Sequence, residues 1–440
     1  MSSFTLLSSY IQARLNEKKS SESIRRLQEK KFRKLLKYAF HHSSFYHDLY
    51  CSHGISEQDL DGISLEKLPV VDKESMMNHF DEVLTVEDVD KKGIVDFLEK
   101  SVDPSELYHQ CYHVVHSSGS SGLIGIFVYS RKEWDSFFPY ITRIYNVGFK
   151  KNKSVFFGAA GGHFLGVSFS AWLGIGLSRF FVDSCILDIT KPIASHLSRL
   201  NEYQPSILGG YFSGLKILAD EQASGRLRIH PDVVVNCGEG IVVKDMKYIQ
   251  RVFDAPMVNL YGLAECPIMG AGRQSYEGMY LMDDIVLVEI RKDHALVTNL
   301  INKTQPLIRY KINDFFSKKV DKYGRMPFTL VDNIVGRRES LLWLETDEGR
   351  MDFIHPIVFA EFFVKGLDRF QIVVHDAHSF DFVAVLTDKD EEVVVNKIRE
   401  KLDSILVKKG FSRVHYSVRI VDGLSVDPKT GKFKLIIEKN

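Results

Sequence analysis

The sequence is poor in cysteine, and the few cysteines it has are not paired. The five, Cys51, Cys111, Cys185, Cys237 and Cys266, are widely spaced and form no CxxC motif. This usage is typical of proteins in a reducing compartment and argues against a disulfide framework. We therefore expect a cytoplasmic protein.

The sequence also has no net charge. Its 57 lysine and arginine residues are balanced by 57 aspartate and glutamate residues. A neutral chain lacks the general attraction to phosphate backbones on which nucleic-acid binding depends. We therefore expect no nucleic-acid partner.

Long hydrophobic runs are missing as well. The most apolar stretch, residues 167–182, contains Arg179 and is interrupted by Gly174 and Gly176, so it predicts a buried helix rather than a membrane span. The first 19 residues have the pattern of an amphipathic helix and not of a signal peptide. No membrane partner is expected.

What the sequence does have is enough apolar material for a large core. Hydrophobic residues make up 45% of the 440 residues, which predicts two or three folding units. From about residue 110 to 335, short β-branched runs alternate with helix-length segments, the pattern of an α/β fold. After Gly336, strand-like runs surround one helical segment, Glu391–Val407, and predict a small α+β unit. The predicted domains are residues 1–335 and 336–440.

A serine- and glycine-rich segment from His116 to Gly122 follows an apolar strand-like run. Glycines let backbone amides turn toward an anion, and serine hydroxyls add further donors, as a polyphosphate site requires. The segment does not end in GK[ST] and is not a Walker loop. Composition alone more often indicates a flexible surface loop, so the other motifs must decide its function.

Those motifs occur in the order of one family. They are KLLKYAFHHSSFYHDLY, LEKLPVVDKESM, SSGSSG, YQPSILGGYFSGL, VVNCGEG, NLYGLAE, VTNLINKTQPLIRYKIND, VGRRES and a terminal GKFK. Over nearly the whole chain they resemble the adenylate-forming (acyl-activating) enzyme superfamily, and most closely its phenylacetate-coenzyme A ligase-like branch. The resemblance implies a large multi-sheet N-terminal adenylation domain and a small, mobile α+β lid domain that rotates between two reaction steps.

The resemblance also implies an activity. Such an enzyme uses ATP and Mg²⁺ to convert a carboxylic acid, here an aryl or arylacetic acid among others, to an acyl-adenylate. It then transfers the acyl group to an acceptor, for which coenzyme A is the first candidate and an amine or a carrier protein the alternatives. The sequence does not determine the number of subunits and is compatible with a homodimer.

The family's phosphate and metal residues carry over by motif position. Glu265 matches the Mg²⁺ ligand and Lys432 the catalytic lysine that meets the α-phosphate, and these two are the predicted catalytic residues. The β- and γ-phosphates would be surrounded by Ser117, Ser118, Gly119, Ser120, Ser121 and Gly122. Outside these motifs a lone carboxylate such as Glu265 would most simply be a surface acid or a helix cap.

The nucleoside and acyl residues carry over in the same way. Tyr261 and Gly262 would lie at the adenine, Asp314 would bind the ribose hydroxyls, and Arg337 would reach ribose or phosphate. The turn under the adenine ring would be formed by Gly238, Glu239 and Gly240. From position alone, the acyl pocket is predicted to include His163, Phe164, Tyr211 and Phe212.

The motifs depart from the family pattern at three places. The phosphate loop continues as Leu123-Ile124-Gly125, without the expected cation, and Asn313 replaces a glycine. Residues 342–350 replace an Arg-Gly loop that shapes the coenzyme A tunnel. The missing cation and the altered tunnel loop motivate a second hypothesis, a nucleotide-binding homologue that has lost turnover and acts as a scaffold.

Overall fold

The computed structural model describes most of the chain. The described ranges are 3–117, 124–145, 151–175, 178–241, 243–292, 294–314, 316–332, 341–354, 357–360, 362, 364–387, 390–425 and 435–438.

Helices and strands alternate through the middle of the chain, as predicted. Helices α1 to α14 span Ser3–Asn16, Ser21–His42, Ser44–Ser52, Lys73–Asn78, Phe80–Val83, Lys91–Lys100, Arg131–Asp135, Phe138–Tyr145, Leu165–Leu173, Ala194–Tyr203, Phe212–Ala223, Val243–Phe253, Ile357–Ala360 and Glu391–Lys409. Strands β1 to β19 span Tyr112–His116, Ile126–Ser130, Asn152–Gly158, Val182–Asp188, Ile207–Gly210, Val233–Cys237, Met257–Leu263, Cys266–Arg273, Gly278–Leu281, Val286–Ile290, Ala295–Asn299, Tyr310–Ile312, Leu330–Val331, Leu342–Glu345, Met351–Ile354, Leu367–Asp376, Ser379–Leu386, His415–Ile420 and Ile436–Glu438.

The central feature is an eight-stranded sheet in the order β13-β9-β8-β7-β6-β5-β3-β4. Strands β4, β3, β5, β6 and β7 are parallel, whereas β7, β8, β9 and β13 pair antiparallel. The parallel strands β5 and β6 are almost continuously apolar and buried, because the helices that connect parallel strands cover the faces of the sheet. The carboxyl ends of β5, β6 and β7 therefore share one edge, the usual ligand site of such sheets.

A three-stranded sheet, β10-β11-β12, carries a second part of the chain to the same edge. The segment that precedes α4 docks on it: the backbone N–H of Val71 bonds the carbonyl of Arg309 at 3.2 Å, and the N–H of Lys311 bonds the carbonyl of Val71 at 2.8 Å. Asp72 then caps α4 by accepting a hydrogen bond from the backbone N–H of Ser75 at 2.9 Å. This docking places the start of α4 beside β12.

The C-terminal part has its own hydrophobic core. A four-stranded sheet, β18-β17-β16-β19, packs with α14, and its core includes Leu342, Phe359, Ile372, Leu402 and Phe411. The helix predicted over 391–407 is confirmed as α14. The boundary predicted between residues 335 and 336 falls in a range outside the described residues and stays a prediction.

Two lysines at the end of α14 connect this C-terminal part to the large sheet. The Lys409 ammonium is buried and donates to the carbonyls of Ile189 at 2.8 Å and Lys191 at 2.9 Å. Lys408 forms an ion pair with Asp188 at 2.9 Å. All three partner residues lie at the end of β4 or just after it.

The structure corrects one prediction about the apolar stretch at 167–182. Its helical part, α9, ends at Leu173, and Gly174 caps it. Strand β4 starts at Val182, so the stretch is not one buried helix. Among the described residues, no helix combines the length and apolarity that a bilayer span requires.

Candidate active site

A cavity of about 590 Å³ lies at the carboxyl ends of β5, β6 and β7 and extends to β12. One end of its wall is polar and includes Lys73, Ser117, Glu265 and Asp314. The other end comes from α8, β3 and α9 and is mostly apolar. A single cavity thus offers charged and apolar surfaces side by side.

Most of the described residues that were predicted for the site lie on the wall of this cavity. They are Ser117, Phe164, Tyr211, Gly238, Glu239, Gly240, Tyr261, Gly262, Glu265 and Asp314. The predictions for Ser118, Gly119, Ser120, Ser121, Gly122, Arg337 and Lys432 fall outside the described residues.

Glu265 lies in the turn between β7 and β8, and both its backbone and its side chain accept hydrogen bonds. Its backbone carbonyl accepts hydrogen bonds from the Tyr129 hydroxyl at 2.9 Å and the Asn299 amide at 3.1 Å. Its Oε1 accepts a hydrogen bond from the Tyr310 hydroxyl at 3.2 Å. Burial and the neighbouring carboxylate raise the pKa of Tyr310, so the phenol stays protonated and is the donor. No described residue donates to Oε2.

This arrangement fits one mode of Mg²⁺ binding. No group of three or more histidine, cysteine, aspartate or glutamate side chains that could hold a metal is found among the described residues. Mg²⁺ in phosphate-transferring sites is commonly held by one or two carboxylates together with substrate phosphates and water. A single fixed carboxylate with a free oxygen, as Glu265 provides, suits that mode.

Asp314 is positioned by a second tyrosine. The Tyr261 hydroxyl donates to Asp314 Oδ2 at 2.7 Å. Burial, with the carboxylate beside it, raises the pKa of Tyr261 well above its ordinary value. The Tyr261 ring also packs edge-to-face on Phe316, with ring centroids 5.5 Å apart. Two tyrosine–carboxylate pairs therefore fix Glu265 and Asp314.

Two glycines of the cavity wall occupy positions where a side chain would clash with neighbouring atoms. A Cβ on Gly262 would lie 2.0 Å from the carbonyl oxygen of Pro267. Gly238 has a φ of +76°, and a Cβ there would lie 2.9 Å from the Tyr211 ring. Positive φ and close backbone approach both favour glycine, which explains these two residue types in the YGLAE and CGEG motifs.

The carboxylate of Glu239 bonds to helix α11. It accepts hydrogen bonds from the backbone N–H of Ser213 at 2.6 Å and from the Ser213 hydroxyl at 3.1 Å. Ser213 is in the first turn of α11, so Glu239 satisfies a free amide at the start of that helix. The backbone carbonyl of Glu239 accepts from the Asn236 amide at 2.7 Å. These contacts hold the Gly238–Gly240 turn in place.

Lys73 is a site residue that the sequence reasoning missed. Its ammonium donates to the Ser117 hydroxyl at 3.1 Å, and the same hydroxyl accepts from the backbone N–H of Gly125 at 2.9 Å. The LPVVDK segment contained the signal, since it places a lysine two residues after the buried Val71 and directly after the helix-capping Asp72. Lys73 supplies a positive charge at the base of a loop that lacks the cation expected after Gly122.

Two of the four residues predicted for the acyl pocket are not among the described residues of the cavity wall. Phe164 and Tyr211 line it, whereas His163 and Phe212 do not. Phe164 and Tyr211 are the N-cap residues of α9 and α11. His163 precedes Phe164 on extended backbone, where neighbouring side chains point to opposite sides, and Phe212 is the first residue of α11. The prediction named two neighbouring pairs, His163 with Phe164 and Tyr211 with Phe212. Only one residue of each pair lines the cavity.

His163 instead belongs to a buried polar chain. Its Nε2 lies 2.9 Å from the Ser101 hydroxyl, which donates to Glu106 at 2.5 Å. Burial, more than any neighbouring charge, lowers the pKa of His163 to about 4. The ring also packs on Phe97, with centroids 4.9 Å apart. These contacts describe a neutral, structural histidine.

The comparisons with known proteins agree with this architecture. No protein-family model matches the chain, and no curated protein matches its sequence. Among solved structures, a 2-hydroxyisobutyryl-CoA ligase in complex with 2-HIB-AMP and CoA has a TM-score of 0.60 and 18% identity, covering 96% of this chain and 91% of that one. The same ligase in a postadenylation state has a TM-score of 0.56 and 18% identity, covering 94% and 89%.

An open conformation of that ligase has a TM-score of 0.55 and 17% identity, and the match covers 94% of this chain and 91% of that chain. The likeness extends over both the large sheet and the C-terminal unit. It confirms the predicted α/β fold with a large multi-sheet N-terminal part and a small α+β C-terminal part. The chain therefore shares the fold of this 2-hydroxyisobutyryl-CoA ligase.

Proposed function

We propose that this protein is an ATP-dependent ligase that activates a carboxylic acid as an acyl-adenylate and then transfers the acyl group to an acceptor. One observation carries the proposal: Glu265, Asp314 and the Lys73–Ser117 pair line one cavity, and the part of its wall formed by α8, β3 and α9 is mostly apolar. A polar end of this kind suits a nucleoside triphosphate, and the apolar end suits the body of an organic acid.

The chemistry requires this charge distribution. A carboxylate oxygen attacks the α-phosphorus of ATP, the new O–P bond forms, and the bond to the leaving pyrophosphate breaks. Negative charge builds up on the phosphates, and fixed donors aimed at that charge lower the barrier. Lys73 and Ser117 at the base of the loop would contact the pyrophosphate portion. Glu265 would hold Mg²⁺, which when bound neutralises phosphate charge.

The nucleoside would occupy the edge formed by β6, β7 and β12. Asp314 would accept hydrogen bonds from the ribose hydroxyls through the oxygen that Tyr261 leaves free. The backbone of the Gly238–Gly240 turn would lie against the adenine. Arg337 and Lys432 keep the roles that their motifs imply, at ribose or phosphate and at the α-phosphate.

Coenzyme A is the acceptor we propose first. The solved ligase named above was crystallised with both an acyl-AMP and CoA, and the shared fold makes the same two-step use of one site the simplest assignment. The departure at residues 342–350 forms the first strand and the turn of a β-hairpin, β14–β15. The turn of that hairpin is fixed by Asp347, which accepts from the Ser412 hydroxyl at 2.7 Å. An amine or a carrier protein as acceptor would leave the first step unchanged.

The scaffold hypothesis rested on the altered tunnel loop at residues 342–350 and on the missing cation in the phosphate loop after Gly122. Lys73 provides a cation at the base of the phosphate loop, so the second of these departures no longer argues against turnover. The two functions differ in one measurable respect, because a scaffold binds ATP without exchanging pyrophosphate into it.

Acid-dependent exchange of labelled pyrophosphate into ATP, over a panel of carboxylic acids, tests the proposal. We expect exchange with at least one acid, and a loss of about 100-fold or more in Glu265→Gln, which removes the ligand charge. The exposed Glu87 offers a matched control, and Glu87→Gln should leave exchange unchanged. Tight ATP binding without exchange for any acid would favour the scaffold and overturn the ligase.

A further inference from the structure

We infer that the apolar end of the cavity selects acids that carry a neutral hydrogen-bonding substituent, and that the Tyr145 hydroxyl recognises that substituent. The inference rests on the proposed function, because it concerns the acid that the site would activate.

The wall around Tyr145 is nearly all apolar. Ile141 comes from the same helix, α8, and Phe156, Phe164 and Leu173 come from β3, the residue before α9 and α9, in that order. None of these side chains can form a hydrogen bond with a substrate. The charged residues of the wall, such as Lys73 and Asp314, belong to the polar end.

Two other polar side chains of the wall, Ser170 and Cys237, already use their donors. The Ser170 hydroxyl donates to the carbonyl of Gly166 at 2.9 Å. The Cys237 thiol contacts the carbonyl of Gly210 at 3.5 Å, and burial raises its pKa to about 12, so it remains a neutral thiol. Neither group is available to a substrate.

Unlike Ser170 and Cys237, Tyr145 has a donor that is not in use among the described residues. Its ring packs on the main core and its side chain lines the cavity. Among the described residues, none forms a hydrogen bond with its hydroxyl, although tyrosine hydroxyls removed from solvent normally find a partner. Burial raises the pKa of this phenol above its ordinary value, so the hydroxyl keeps its proton and can donate.

An unpaired donor on an apolar wall discriminates between substrates. A site that forms a hydrogen bond with a substrate group rejects the analogue that lacks this group, because the donor of the site then has neither a substrate partner nor water. The side chains named around Tyr145 carry no charge, and the Glu239 carboxylate of the wall is engaged by Ser213, so these side chains offer a charged substituent no counter-ion. The class favoured is therefore a monocarboxylic acid with a hydroxyl, methoxy, amino or oxo group away from its carboxylate.

Matched pairs of acids that differ by one substituent provide the test, for example phenylacetic and 4-hydroxyphenylacetic acid, or benzoic and 3-hydroxybenzoic acid. For at least one pair, we expect kcat/KM for pyrophosphate exchange to be about 10- to 100-fold higher with the substituted acid. Tyr145→Phe should remove most of that preference while keeping or improving the unsubstituted acid. Tyr140→Phe removes a phenol hydroxyl from the same helix, outside the described cavity wall, and should keep the preference.

The wild-type protein alone gives a second test that does not depend on a variant's folding. A methoxy group accepts a hydrogen bond and should retain the preference, whereas an ethyl group of similar size should not. Preferences that are unchanged in Tyr145→Phe, or equal for methoxy and ethyl acids, would overturn the inference and leave the ligase intact. Absence of exchange with every acid would instead overturn the ligase itself.

Discussion

The hydroxyl of Tyr310 lies 3.2 Å from Oε1 of Glu265, across 45 residues of sequence. The tyrosine sits on β12 and the glutamate in the turn after β7, so the contact joins the two sheets that form the polar end of the cavity. Tyr310 leaves the other carboxylate oxygen free and fixes its direction. A residue that only orients a metal ligand typically contributes 10- to 100-fold to metal affinity or activity, to order of magnitude.

Tyr310→Phe should therefore lower adenylation by about 10-fold and raise the Mg²⁺ concentration needed for half-maximal exchange. A Mg²⁺ titration of the exchange rate measures both effects. The exposed Tyr323 provides the control, and Tyr323→Phe should behave as wild type. An unchanged Mg²⁺ requirement in Tyr310→Phe would show that Glu265 does not hold the metal through this geometry.

Lys73→Met should reduce kcat/KM for ATP by about 10- to 100-fold, because it removes a positive charge from the base of the phosphate loop. Lys73→Arg keeps the charge with a different shape and should retain more of the activity. ATP saturation curves for the exchange reaction compare them, with the exposed Lys67→Met as control. Wild-type ATP kinetics in Lys73→Met would remove Lys73 from the site.

Gly262→Ala should be severely destabilising or inactivating, since its Cβ would lie 2.0 Å from a backbone oxygen that cannot move freely. We expect a loss of about 2–4 kcal/mol in the free energy of unfolding, the upper range for such clashes. Gly62 has no atom within 4 Å of an added Cβ, so Gly62→Ala should be nearly neutral. Urea unfolding of both variants decides whether the clash is real.

His163 should make stability depend on pH. Its pKa falls from 6.5 to about 4 on folding, so between these values the unfolded chain binds more protons than the folded one. Stability is therefore lost as pH falls from about 6.5 to about 4, by up to about 3 kcal/mol from this residue.

His163→Gln should flatten that part of the profile, whereas His53→Gln, at an exposed position, should not. Denaturant unfolding at a series of pH values measures the difference. Parallel profiles for wild type and His163→Gln would contradict a buried, neutral histidine.

Sequence reasoning found the fold and the acids because those features are local. The alternation of strands and helices specifies the parallel sheet, and the glycines of CGEG and YGLAE mark turns that only glycine can make. Glu265 and Asp314 stand inside such motifs, and the structure brings both to one cavity.

What the sequence could not predict depends on pairs from distant segments. Lys73 meets Ser117, and Tyr310 meets Glu265, only after the sheets assemble. The side on which His163 points depends on Ser101, and the carboxylate of Glu239 is taken up by a helix start that no spacing rule reveals. Side-chain direction at such places is set by tertiary contacts rather than by the local pattern.

Transfer of an oxygen atom tests the central claim most directly. If the carboxylate of the acid attacks the α-phosphorus of ATP, an acid labelled with ¹⁸O in its carboxyl group must leave one labelled oxygen in the AMP released after acyl transfer. Mass spectrometry of the nucleotide products from ATP, the labelled acid and coenzyme A should show singly labelled AMP. Unlabelled AMP, or ADP in its place, would contradict acyl-adenylate formation.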